Sequence, residues 1–130
     1  MDMSSSKLSL KVLPMKVGIC RLEKEARIPD WAIVGGFFSV TRTDDELSVV
    51  CMEENIPEDV KCEKGWRVFK VEGILDFSLT GILASIANPL AQAKISIFAV
   101  STFDTDYILV KEDTLEEAVK VLSIEFSVLK

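Results

Sequence analysis

Asp104 and Asp106 stand one residue apart in the run Ser101-Thr102-Phe103-Asp104-Thr105-Asp106-Tyr107, and Asp44, Asp45 and Glu46 form a second acidic cluster. Two carboxylates placed close together could share acid and base roles in a proton transfer. The plainer reading is that both clusters are turns, because Asp side chains bond their own backbone there. A calcium loop would need more oxygen ligands at regular spacing than either run supplies. The chain contains no histidine. That excludes Ser-His-Asp and Cys-His catalysis, histidine-ligated zinc and a histidine proton shuttle. Cys20, Cys51 and Cys62 make no C-x-x-C pair, so a structural zinc site has little support. Cys20 and Cys51 lie in apolar, strand-like surroundings and read as buried thiols, whereas Cys62, between Lys61 and Glu63, reads as the exposed one. With no glycine-rich phosphate loop either, the reading is a protein without catalysis, cofactor or metal.

The elements that must carry these residues belong to a chain of 130 residues, which is one compact unit with room for internal halves. Its 48% apolar and 28% charged residues are ordinary for a folded domain, and its formal charge of -6 opposes binding to a phosphate backbone. Nucleic acid is therefore not expected as a partner. No apolar run approaches the roughly 18 residues needed to cross a bilayer, so no membrane is expected. The polar start, Met1 to Ser6, lacks the layout of a signal peptide. An odd number of cysteines with no pairing pattern fits reduced thiols, and hence a cytoplasmic location.

Leu8 to Leu13 and Val17 to Leu22 read as two short strands around Pro14. Ile28 to Val34 reads as a short helix ended by Gly35-Gly36. Phe37 to Arg42 and Leu47 to Met52 read as a strand pair, joined by a turn whose aspartates cap their own backbone. Ile56 to Val60 reads as one helical turn, and Trp66 to Glu72 as a strand. Beyond it, Leu79, Ile82, Leu83, Ile86, Leu90 and Ala93 recur at helical spacing, with Pro89 inside the pattern as a kink rather than a stop. Ile95 to Val100 is apolar on both faces and reads as a central strand. Tyr107 to Lys111 is the return strand. Thr114 and Glu117 have the spacing of a capping box for the helix that follows, and Glu125 to Leu129 is a last strand.

Both halves thus follow one order, β-α-β-β-α-β. Val40, Thr41, Asp44, Glu46, Leu47, Val49 and Val50 face Val100, Ser101, Asp104, Asp106, Tyr107, Leu109 and Val110 at a constant offset of 60 residues. The fold class read from this is α+β: two ferredoxin-like βαββαβ halves packed as one compact unit. The expected division is residues 1–72, with an extra N-terminal strand, and residues 73–130, whose first strand is borrowed from about 66–72.

The segments Phe77-Ser78-Leu79-Thr80-Gly81-Ile82-Leu83, Asn88-Pro89-Leu90-Ala91 and Ser101 to Val110 resemble the ACT domain. The resemblance is nearest to tandem-ACT proteins related to aspartokinase regulatory domains and to the arginine-sensing CASTOR proteins. It covers residues 73–122 well and the first half more loosely. It implies a regulatory protein that binds a free amino acid or similar small zwitterion between paired ACT units. In that family, helix-start amides and a facing hairpin hold the ligand. Carried over here, the site residues are Leu79, Thr80, Gly81 and Ile82 at the helix start and Thr102, Phe103 and Asp106 on the hairpin. The paired surface comes from the first half or from a second chain, and a homodimer is expected.

The chemistry of such a site is simple. A ligand carboxylate suits unpaired amides at the positive end of a helix dipole. Gly81 lets a ligand approach the backbone. An ammonium or cationic side chain suits Asp106 or Asp104. The structural alternative makes Asp76 and Ser78 helix caps and Gly81 a packing residue. The functional alternative is an ACT-fold interaction module that dimerises and binds no ligand.

Overall fold

The computed structural model describes residues 8–73 and 81–130. Its contacts divide the chain into two units, Met15–Trp66 and Met1–Pro14 together with Arg67–Lys130. The first strand, β1 (Ser9–Leu22), and the fourth, β4 (Cys62–Glu72), each run through both units. This division differs from one at residue 72. A 14-residue strand is long enough to serve two ladders in succession. Residues 8–14 accordingly pack with the C-terminal segment.

β1 is continuous where two strands are expected. It pairs in parallel with β7 (Ser127–Leu129) over Ser9 to Lys11, and antiparallel with β3 (Leu47–Met52) over Val17 to Leu22. Pro14 falls between those two stretches, so its missing amide removes no bond from either ladder. The neighbouring Leu13 carbonyl accepts a hydrogen bond from the Arg67 guanidinium at 3.1 Å.

Within Met15–Trp66, β3 lies between β1 and β2 (Ser39–Arg42), with Ser39 opposite Val50 and Arg42 opposite Leu47. Leu47, Val49 and Cys51 alternate onto one face and bury against Cys20, Ala32 and Ile56. Ala32 belongs to a four-residue 3-10 helix, Asp30–Ile33, which is what forms of the helix expected over 28–34. Residues 56–60 form a turn closed by the Val60 amide on the Pro57 carbonyl at 3.4 Å, not a helix. The Arg42 guanidinium donates to the Lys24 and Ala26 carbonyls and pins the 24–26 loop to β2.

In the other unit the order is β7, β1, β4, β6 (Asp106–Lys111), β5 (Ile97–Ser101). Two helices, α1 (Ile82–Gln92) and α2 (Leu115–Leu122), bury Ile86, Leu90, Ala118 and Leu122 against Leu10 and Phe69 of the sheet. Each of the larger side chains contributes about 1.5–3 kcal/mol by leaving water. β5 is an edge strand, not the central strand its apolar residues predict. It pairs with β6, and Ala99 and Ser101 are exposed. β6 is buried on both faces, through Ile108, Leu109 and Val110, as is β4 through Val68 and Phe69.

α1 continues through Pro89 to Gln92, and the Ser85 hydroxyl donates to the Ile82 carbonyl at 2.7 Å. The capping box at Thr114 does not form. A 3-10 turn, Glu112–Thr114, leads directly into α2, and the Thr114 hydroxyl turns back to the Lys111 carbonyl at 2.9 Å.

Residues 66–130 therefore have the ferredoxin-like β-α-β-β-α-β order within an α+β fold. The first half repeats the order with 3-10 turns in both helical slots. The repeat offset is 59, not 60. Arg42 opposite Leu47 flanks one four-residue turn, and Ser101 opposite Asp106 flanks the other. The 3-10 turns Glu53–Asn55 and Glu112–Thr114 follow at the same spacing. No helix among the described residues is long and apolar enough to cross a membrane.

Candidate functional site

The turn between β5 and β6 is built on Thr102. Its hydroxyl accepts the Thr105 amide at 3.2 Å and donates to the Thr105 carbonyl at 3.0 Å. The Thr102 amide donates to that same carbonyl at 2.8 Å. Small polar residues close turns in this way by replacing backbone partners with a side chain. The closure leaves Phe103 at the tip, 82% exposed, with Asp104 exposed beside it. Asp106 opens β6 opposite Ser101 and is half-buried.

Thr105 is the buried member of the turn, 8% exposed. Its hydroxyl donates to the Val71 carbonyl at 2.7 Å, so the turn is fastened to the last residues of β4. From Val71 the chain proceeds through Gly73, with φ of 118°, toward the start of α1.

Gly81 is the residue before α1 and has φ of 78°, in the left-handed region where glycine carries no Cβ penalty. A Cβ built there meets nothing within 4 Å. Its carbonyl takes the Ser85 amide at 2.8 Å, and among the described residues no side chain caps the helix. The first amides of a helix, Ile82 onward here, have no intrahelical acceptor.

Of the expected site residues, Thr102, Phe103 and Asp106 thus share one turn, and Gly81 and Ile82 share one helix start. Leu79 and Thr80 lie outside the described residues, as do the cap candidates Asp76 and Ser78. Thr105 was not among the expected residues, because a threonine inside an acidic turn carries no periodic signal. Matching the two hairpins at the observed offset does single it out. Thr43 and Thr102 make the same turn, whereas Asp44, Glu46 and Leu47 give way to Phe103, Thr105 and Asp106.

The three cysteines belong to the Met15–Trp66 unit and are free thiols. Burial pushes the Cys20 thiol from 9.0 up to about 12, and its neighbours Cys51 and Cys62 add in the same direction. Burial also raises Cys51. A neutral, buried thiol is a poor nucleophile. Among the described residues no group of three Cys, Asp or Glu side chains could hold a metal ion.

Residues 61–123 match the family model described as the ACT domain, and a second model, described as an N-terminal domain, matches residues 16–59. The human cytosolic arginine sensor for mTORC1 subunit 1 is 34% identical over 94 residues, which cover 66% of this chain and 29% of the sensor. The chain therefore spans under a third of the length of that curated relative. A crystal structure of a protein from Agrobacterium tumefaciens is 46% identical, covers 95% of this chain and 92% of its own, and superposes with a TM-score of 0.90. The regulatory subunit of aspartate kinase from Thermus thermophilus shares the fold, with a TM-score of 0.60 at 10% identity over 92% of this chain and 97% of its own. By the family model they match and the fold they share with the aspartate kinase regulatory subunit, residues 61–123 of the chain are an ACT domain.

Proposed function

We propose that this ACT chain is a non-catalytic regulatory protein that binds a free amino acid, or a similar small zwitterion, at the α1 start and the β5–β6 turn. One observation carries the reading. The C-terminal hairpin presents a half-buried carboxylate, Asp106, beside an exposed aromatic, Phe103, where the matching hairpin has the buried Leu47 and the exposed Asp44. The two hairpins share a scaffold and differ where a ligand would touch. In this reading the helix-start residues, Gly81 and Ile82 with Leu79 and Thr80 carried over from the resemblance, are the amides proposed for a carboxylate, and Asp106 takes the cationic end. A relative named as an arginine sensor supports a cationic amino acid as the first probe.

A thermal-shift screen of the common amino acids tests this. A ligand that prefers the folded state stabilises it by about 2.7 kcal/mol at a hundredfold excess over Kd. Arginine or another cationic amino acid is expected to raise Tm. No shift with any amino acid would overturn the reading and leave an ACT interaction module that works by dimerisation alone.

The reading also includes a cytoplasmic location and a homodimer. β5 is an uncharged edge, Ile97-Phe98-Ala99-Val100-Ser101, and open edges of that kind invite pairing. Light scattering at high concentration is expected to give twice the mass of one chain; a monomer would remove the dimer from the reading.

A further inference from the structure

We infer that Thr105 is the positioning residue of the amino-acid site: its bond to Val71 sets where the turn carrying Phe103 and Asp106 stands relative to the strand that leads to the α1 start. The inference rests on the amino-acid reading above and adds a residue to it that touches no ligand. Two kinds of bond act on the turn. The Thr102 hydroxyl closes the turn on itself and fixes its shape. The sheet holds β6 beside β4, but that backbone ladder belongs to the strands and the turn projects from their end. The Thr105 hydroxyl extends the tie to β4 into the turn itself, donating to the Val71 carbonyl at 2.7 Å and 34 residues away in sequence. It is buried, so no water competes for it, and a buried acceptor left without its donor is costly.

The matching hairpin sharpens the point. It has the same Thr-closed turn at Thr43, yet Glu46 stands at the place of Thr105. The shape of the turn is common to both halves. The first turn is reached from a neighbouring strand by an exposed bond, the Arg21 guanidinium of β1 donating to the Asp45 carbonyl at 3.1 Å, whereas the buried hydroxyl tie belongs to the hairpin with Asp106. A positioning role predicts that the tie matters for affinity and not only for stability.

The experiment compares the parent chain with Thr105→Val and Thr105→Ser, using arginine as the probe in calorimetry and urea unfolding of the same samples. Thr105→Val removes the donor and keeps the shape. It is expected to weaken arginine binding about tenfold at a temperature where the variant is fully folded. Thr105→Ser restores the hydroxyl and is expected to bind within about twofold of the parent, even where the lost methyl lowers its unfolding midpoint. Should Thr105→Val not fold, Thr105→Ala deletes the same donor without placing a methyl against the carbonyl. Parent-like affinity in a folded Val or Ala variant overturns the inference and leaves the amino-acid reading standing. Equal weakening in the Ser variant also overturns it, because packing would then matter and the hydroxyl would not. A parent chain that binds no amino acid overturns the reading and the inference together.

Discussion

Thr43 and Thr102 hold the same place in the two hairpins, 59 residues apart, and each closes a four-residue turn with its hydroxyl. Thr43 accepts the Asp45 and Glu46 amides at 3.1 and 3.2 Å; Thr102 accepts the Thr105 amide at 3.2 Å. The aspartates beside Thr43 do not close that turn. Thr43→Val is expected to lower unfolding free energy by about 1 kcal/mol, read by urea denaturation, since two amides return to water rather than to a buried void. A loss under a few tenths of that would mean the strands hold the turn unaided.

Asp106→Asn keeps the shape of the side chain and removes its charge. The carboxylate is half-buried at the head of β6, and the adjoining core residues Ile108 to Val110 are untouched by the change. Arginine binding is expected to fall by about 10- to 100-fold, the worth of a charge-assisted hydrogen bond, with Tm unchanged in the absence of ligand. Calorimetry on the folded variant decides it: parent-like affinity would put the cationic group elsewhere.

Gly81 offers a test in which the protein and the ligand feel different things. A Cβ there meets no atom of the described residues within 4 Å, but φ of 78° strains any L residue. Gly81→Ala is expected to cost about 1–2 kcal/mol of stability, and Gly81→Asn less, because Asn tolerates the left-handed region. Both add atoms beside the first amides of α1, so both are expected to weaken amino-acid binding. A variant that loses stability and keeps its affinity would show that no ligand reaches that backbone.

The strands and helices of residues 66–130 were legible in the sequence because their apolar periods are long and uninterrupted. The first half was less so. Its 3-10 turns, Asp30–Ile33 and Glu53–Asn55, are too short to impose a period. β5 misled by composition: an apolar run reads the same at an edge as in the centre, and its pairing with β6 decides which it is. The repeat offset slipped by one because valines fill both strands at either register, while a one-residue slip exchanges the two faces of a strand. At the site, residues that resemble a known motif could be named in advance. Thr105 could not, since its role comes from a partner 34 residues away.

The thiols provide a prediction independent of any ligand. The folded protein holds Cys20 protonated up to about pH 12, whereas the unfolded chain loses that proton near 9.0. Below pH 9 both states keep the proton, and the group's contribution to stability is fully present. Above it the unfolded state binds fewer protons than the native one, so stability falls as pH rises toward 12, by up to about 1.4 kcal/mol per unit for one thiol. Cys51 is raised as well and pulls in the same direction. Lysines titrate over the same range, so the comparison that isolates Cys20 is between the parent and Cys20→Ala. Their difference in unfolding free energy is expected to be constant from pH 7 to 8.5 and to narrow at pH 10 and above, as the parent alone loses the contribution of its protonated thiol. Iodoacetamide at pH 8 reports on the same burial by mass spectrometry. Half-buried Cys62 is expected to react first, and Cys20 and Cys51 only after urea is added. A stability difference that does not change with pH, or early labelling of Cys20, would mean that this core admits water at the β1 and β3 thiols.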